Sequence, residues 1–316
     1  MTPEQGSPER HTPDPSEIKK IKVEDLLGGE KLPDEDGTLI TLQVNARDIR
    51  DPESKDLGRL KPEAAIEVRE ITKTFFTEAL ELLTPEERSQ IDIIVFASNA
   101  RLTTPSGLES NLQRAVQTGN SAIEGIREVM ERLDMKEGQL INNVSSVGGG
   151  PFEVSELVDL EILKSDEGYL QYLKDKYMPN DQPSDLSLNS GTGLSPVTEE
   201  ALWVAYENDA PEDRIVRQKL GAEGPDEIAE RVRHFIATIE NFTAQHHTAN
   251  PGRKVIVWAV GHYDNISPYL KKYVLHKQMD TYLGVDKNAG ISIKIDPNHK
   301  ATSRIKGQEF KVDGLS

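Results

Sequence analysis

The sequence has no cysteine among its 316 residues. That absence excludes disulfide stapling, thiolate catalysis and cysteine-ligated zinc. Long apolar runs are missing as well, since nothing approaches the roughly 18 consecutive residues of a membrane-spanning helix. The first residues, MTPEQGSPERHTPDP, lack the basic-then-apolar pattern of a signal peptide. A cytoplasmic location with no membrane partner is the expectation. Gly148-Gly149-Gly150 is not followed by Gly-Lys-Ser/Thr, so this flexible turn is no phosphate loop. Positive charge is scarce in the first four-fifths of the chain: residues 1–250 carry 26 Lys/Arg against 48 Asp/Glu, within a formal net charge of −17. So acidic a body repels a phosphodiester backbone, which excludes nucleic acid as the main partner. Residues 251–316 reverse the balance, with 11 Lys/Arg against 6 Asp/Glu, and can host a local anion site.

The length suits one large α/β domain with an insertion, or two modest domains. Residues 1–37 hold five of the eighteen prolines and few large apolar residues, so they read as a mostly disordered lead-in. A helical turn around Ser16–Leu27 is the part most suited to dock. The domain proper is expected over 38–316. Its first strand is Leu39–Val44. Pro62 opens a helix whose core face is Ala65, Val68, Ile71, Phe75, Ala79 and Leu82. Thr84-Pro85-Glu86-Glu87 reads as a capped turn. Ile91–Ala97 is a second buried strand. Leu108, Leu112, Ala115, Ala122, Ile126, Val129 and Leu133 then give a helix over about 107–133, with Gly119 a candidate interruption. Gln139–Ser145 is a weaker third strand.

Residues 150–225 are polar, helix-rich and broken by prolines and glycines, the pattern of a helical insertion. Asp226–Gln245 is a helix with Ile228, Val232, Phe235, Ile239 and Phe242 on one face. His246-His247 after it read as a frayed, exposed helix end, with metal binding as the alternative. Val255–Val260 is a strand apolar on both faces, and a helix is expected from about Ile266 to Leu275. Gly290–Ile295 and Ala301–Val312 are two closing β segments around an Asp-Pro-Asn turn. Strands alternating with helices imply a three-layer α/β/α sandwich, a mainly parallel sheet with helices on both faces and antiparallel pairing at its end.

In such a sheet, working residues gather beyond the carboxyl ends of the strands. Three strand ends carry polar groups there: Asn45-Ala46-Arg47-Asp48, Ser98-Asn99-Ala100-Arg101, and Gly261-His262. Arginines able to grip two oxygens at once, together with a histidine donor, would make an anion pocket of Arg101, His262, Arg47 and Asn45.

The order and spacing resemble the histidine phosphatase superfamily, also called phosphoglycerate mutase-like. There a first strand ends in Arg-His-Gly, a second in Ser-x-x-Arg and a late apolar strand in a second histidine. Ser98-Asn99-Ala100-Arg101 and Ala259-Val260-Gly261-His262 match the last two elements. The resemblance spans most of 38–316, with 150–225 taking the place of the family's variable insertion. It implies phosphoryl transfer through a histidine nucleophile. Asn45, Ala46 and Arg47 fall on the Arg-His-Gly positions, so the resemblance puts Ala46 at the nucleophile's position and Asn45 at that of the first phosphate-binding arginine. A shift of two places restores the arginine as Arg47 but puts Asp48 on the nucleophile. The general acid that the family places after its third strand has four candidates, Glu153, Glu156, Asp159 and Glu161.

Three readings follow. In the first, a phosphatase-like protein lacks its nucleophile and binds a phosphate-bearing small molecule or a phosphorylated protein. In the second, an active phosphomonoesterase or phosphomutase carries a non-standard first motif. In the third, an unrelated α/β binding module mimics the pattern. None calls for a cofactor or a metal.

Overall fold

A computed structural model of the chain describes residues 17–49, 56, 58–98, 114–144, 168–178 and 196–315. In chain order the strands are β1 (Lys20–Ile21), β2 (Thr38–Val44), β3 (Ile91–Ala97), β4 (Leu140–Asn143), β5 (Lys254–Gly261), β6 (Gly284–Val285), β7 (Gly290–Ile295), β8 (Ala301–Ile305) and β9 (Gln308–Lys311). The helices are α1 (Val23–Leu27), α2 (Pro62–Leu80), α3 (Pro85–Ser89), α4 (Arg114–Arg132), α5 (Tyr169–Tyr177), α6 (Pro196–Asn208), α7 (Pro211–Lys219), α8 (Pro225–Ala249) and α9 (Tyr263–Tyr269).

Seven strands form one sheet in the order β4-β3-β5-β2-β7-β8-β9. The first four are parallel, and β7, β8 and β9 run antiparallel to their neighbours. β5 lies between β3 and β2, which explains its apolar composition on both faces. Val255, Val257 and Ala259 face one core with α8 and α9, while Ile256, Trp258 and Val260 face another with α2 and α4. Trp258 stacks edge-on against Phe75 of α2, with centroids 5.2 Å apart. Its indole N–H donates to Gln43 Oε1 at 3.0 Å, satisfying the one polar atom that burial would strand. The result is the α/β arrangement read from the pattern, helices on both faces of a central sheet.

Several local readings shift. Within the lead-in expected up to residue 37, the stretch around Ser16–Leu27 docks from Ile18 onward, because Ile18, Ile21 and Leu26 are wholly buried and β1 pairs with β6. The buried face of α2 runs through Ala64, Val68, Ile71, Phe75 and Ala79, whereas Leu82 lies past the helix end at 93% exposure. Gly119 does not interrupt α4. A Cβ there would sit 3.0 Å from Val144 Cγ1 and 3.2 Å from Ala97 Cβ, so glycine lets the helix lie close on the strand ends. The last β segment divides into β8 and β9 at Lys306-Gly307, whose φ values of 51° and 76° are those of a tight hairpin turn.

Two further differences concern histidine neighbourhoods. His246 and His247 lie inside α8 and are half-buried; His246 Nε2 is 2.8 Å from Asp92 Oδ2, and His247 Nε2 is 3.3 Å from Thr38 Oγ1. Among the described residues no group of three His, Asp or Glu side chains could hold a metal ion. The helix after β5 begins earlier than expected, at Tyr263, and continues as a π-helical turn over Leu270–Val274. Pro268 within it has no N–H to bond back, which loosens the regular ladder.

The described part of the insertion, α5 to α7, has its own small core of Tyr169, Leu173, Leu202, Trp203 and Tyr206. It meets the sheet domain at α9, where the Trp203 and Tyr263 rings are 5.4 Å apart. No described helix is long and apolar enough to cross a membrane.

Candidate functional site at the carboxyl rim of the parallel strands

Register decides which residues meet at the rim. Val44 of β2 pairs with Gly261 of β5, and Ala97 of β3 pairs with Val260. The next residue of each strand end is therefore Asn45, His262 or Ser98. The ladder continues into them, since Asn45 N–H donates to Gly261 O at 3.0 Å and Ser98 N–H to Val260 O at 2.8 Å. All three side chains are buried, His262 least so at 7% exposure.

His262 lies in the middle. Its Nδ1 is 3.0 Å from Asn45 Oδ1, and its Nε2 is 3.1 Å from Ser98 Oγ. The Asn45 amide is oriented by a second bond, because its Nδ2 donates to Ala46 O at 3.0 Å. That leaves Oδ1, an acceptor only, facing the imidazole. Nδ1 must then carry the proton, and in the neutral ring Nε2 presents its lone pair to the Ser98 hydroxyl.

Ala46 is wholly buried in the core against α2 and α4. Its N–H donates to Thr118 Oγ1 of α4 at 3.0 Å, and that hydroxyl donates to Arg114 O at 2.9 Å. One threonine thus ties the loop after β2 to the first turn of α4. Arg114 is 11% exposed and its Nε stands 3.6 Å from Asp48 Oδ2, which pairs a cation at the start of α4 with a carboxylate two residues after Ala46. Arg47 is exposed, and its carbonyl accepts from Lys61 N–H at 3.1 Å. Arg101, Glu153, Glu156, Asp159 and Glu161 lie outside the described residues.

The first turn of α9 follows His262 directly, Asn265 N–H donating to His262 O at 3.2 Å, and the chain leading into β7 borders the end of β2. Asp264 is 5% exposed, and burial pushes its carboxyl up to about 6, with Lys287 pulling it back. Asn265 and Asn288 are buried to within 1%, and neither side-chain amide has a hydrogen-bond partner among the described residues. Asn288 borders β2 directly, its N–H donating to Val44 O at 3.2 Å and its carbonyl accepting from Gln43 Nε2 at 3.3 Å. Buried amides of this kind take water or a ligand, since leaving each one empty costs about 1–3 kcal/mol.

Arg114, Asn265 and Asn288 were not singled out in the sequence. Arg114 had a usable signal, as the cation opening the apolar-periodic helix that follows β3. The asparagines had none, because only the folded backbone buries them, one after His262 and the other against the end of β2.

No protein-family model matches the chain, and no curated protein matches it. Solved structures do. A phosphoglycerate mutase from Bacillus anthracis is 14% identical with a TM-score of 0.41, covering 87% of this chain and 95% of its own. A Bifidobacterium longum multiple inositol polyphosphate phosphatase, in complex with inositol hexasulfate, is 9% identical with a TM-score of 0.45, covering 90% and 88%. A mycobacterial glucosyl-3-phosphoglycerate phosphatase is 14% identical with a TM-score of 0.35, covering 87% and 97%. Likenesses of this size assign no residue a role. The fold and the rim define an α/β protein with a buried polar site at the carboxyl ends of β3, β5 and β2.

Proposed function

We propose that the chain is a histidine-phosphatase-like protein that binds a phosphate-bearing small molecule or a phosphorylated protein at this rim, and that it is impaired as a phosphatase. The observation that carries the reading is the pairing of Asn45 with His262 across adjacent strand ends, with Ala46 as the next residue. In the family this chain resembles, those strand ends carry the two histidines that flank the phosphate. Ala46 has no nucleophilic atom, and loss of a nucleophile costs on the order of a millionfold in rate. The phosphohistidine route is therefore closed. Arg114 remains as a donor suited to an anion, His262 becomes one when its Nε2 takes a proton, and a cytoplasmic setting accords with the lack of cysteine.

Calorimetric titration with inorganic phosphate tests the binding. We expect saturable binding to the wild type and at least tenfold weaker binding to His262→Ala. No acid-labile phosphohistidine should be trapped on the wild type after incubation with an aryl phosphate, whereas Asn45→Arg combined with Ala46→His should tighten phosphate binding. Absence of phosphate binding, or a phosphohistidine on the wild type, overturns the reading.

A further inference from the structure

Ser98, His262 and Asn45 form a chain of hydrogen bonds. Asn45 Nδ2 is committed to Ala46 O, so Asn45 Oδ1 holds the Nδ1 proton of His262. The Nε2 lone pair then lies 3.1 Å from Ser98 Oγ. A hydroxyl within reach of an imidazole base, the base held in the right tautomer by a third group, is the arrangement that activates a serine for attack. The third group is an amide here, as in cysteine–histidine–asparagine sites. Each member leaves the end of a separate strand, β3, β5 or β2, so the geometry is held by sheet register rather than by a loop. Burial strengthens the hydrogen bonds of such a network.

We infer that Ser98 is a nucleophile with His262 as its general base and Asn45 as the positioning residue, and that it accepts a phosphoryl group from a phosphomonoester. The reading rests on the anion site proposed above only for its choice of substrate class. In the step, the Ser98 Oγ–P bond forms as the ester P–O bond breaks. The hydroxyl proton passes to His262 Nε2, and the departing alcohol oxygen, in line on the opposite side of phosphorus, takes its proton from water. The product is an acid-stable phosphoserine, chemically distinct from the phosphohistidine that Ala46 forbids. The residue that the resemblance supplied only as part of a Ser-x-x-Arg motif thus becomes the reactive group.

A small dialkyl fluorophosphate tests the nucleophile without needing the natural ligand, because Oγ–P formation expels fluoride. Incubated with the full chain, it should give one adduct, mapped by mass spectrometry to Ser98. Ser98→Ala should abolish the adduct. His262→Gln should slow labelling by roughly 10²–10⁴, the size of a general-base contribution. Asn45→Ala should also slow it, and Asn45→Asp, which keeps the acceptor, should restore most of the rate. The wild-type rate should rise with pH through one ionisation that His262→Gln removes, a signature that a purely structural histidine would not give. Thermal melting identifies variants that fold, and only these are compared. A folded wild type with no adduct on Ser98, or labelling indifferent to His262→Gln, overturns the inference. Phosphate titration of the same samples separates the two readings. Phosphate binding without an adduct fails the nucleophile alone, and an adduct without phosphate binding fails the anion site alone.

Discussion

Lys271 Nζ stands 2.5 Å from Glu207 Oε2, with both side chains buried to within 1%. The pair joins α6 of the insertion to the helical segment that follows His262. Ser267 Oγ donates to Glu207 Oε1 at 3.1 Å, and Lys271 Nζ also donates to Met279 O at 2.6 Å. Burial pushes the Glu207 carboxyl up to about 7 and the Lys271 ammonium down, and the attraction between them opposes both shifts. The insertion is thereby fastened to the element that carries the candidate site.

Removing one partner leaves the other charge buried and uncompensated, which costs about 3–5 kcal/mol, whereas apolar replacement of both is close to neutral. Lys271→Met should therefore lower the unfolding free energy by that amount in a denaturant titration. The double variant Lys271→Met with Glu207→Leu should recover most of it. Equal stability of Lys271→Met and the wild type would show that the pair is not buried in solution.

Asp264 predicts a pH dependence with a definite sign. Its folded value of about 6 lies above the roughly 3.9 of an unfolded aspartate, so the folded state keeps the proton through that window. Stability from this group is complete below pH 4 and is lost as pH rises through about 6. The full loss is on the order of 3 kcal/mol. Asp264→Asn should melt higher than the wild type at pH 7.5 and near it at pH 4.5. Parallel pH profiles for the two proteins would contradict the assignment.

Gly290 begins β7 where it pairs with Gln43 of β2. A Cβ at this position would fall inside the van der Waals envelope of Leu42 O, a backbone atom in the middle of the sheet that cannot yield cheaply. Gly290→Ala should cost about 3 kcal/mol or more, beyond what packing adjustments usually absorb. Chemical denaturation measures this directly, and a loss under 1 kcal/mol would mean that β7 slides freely along β2.

Much of the architecture was legible because it follows from composition within short windows. The apolar run Val255–Val260 required a strand covered on both faces, and Pro62 with the three-to-four spacing after it required α2. The capped turn was equally local, Thr84 Oγ1 accepting from Glu87 N–H at 3.2 Å while Glu87 Oε2 accepts from Thr84 N–H at 2.8 Å. Less legible were segments whose order comes from distant partners. Lys20–Ile21 is ordered by pairing with Gly284–Val285, more than 260 residues away, which no window can contain. The split of the last β segment turned on positive φ at Lys306, a residue type that does not advertise it.

By itself the sequence determined the alternation of strands and helices, the acidic body, and the placement of Asn45, Ser98 and His262 at strand ends. These depend on residue type and periodicity alone. Tertiary structure decided that the three strands are neighbours, with β5 between β3 and β2, so that His262 touches both Ser98 and Asn45. It also set Arg114 against Asp48 and left the Asn265 and Asn288 amides buried without a hydrogen-bond partner among the described residues. Strand order and register are set by how two apolar cores close over the whole sheet. That closure sums contacts between residues far apart in the chain, so no single stretch encodes it.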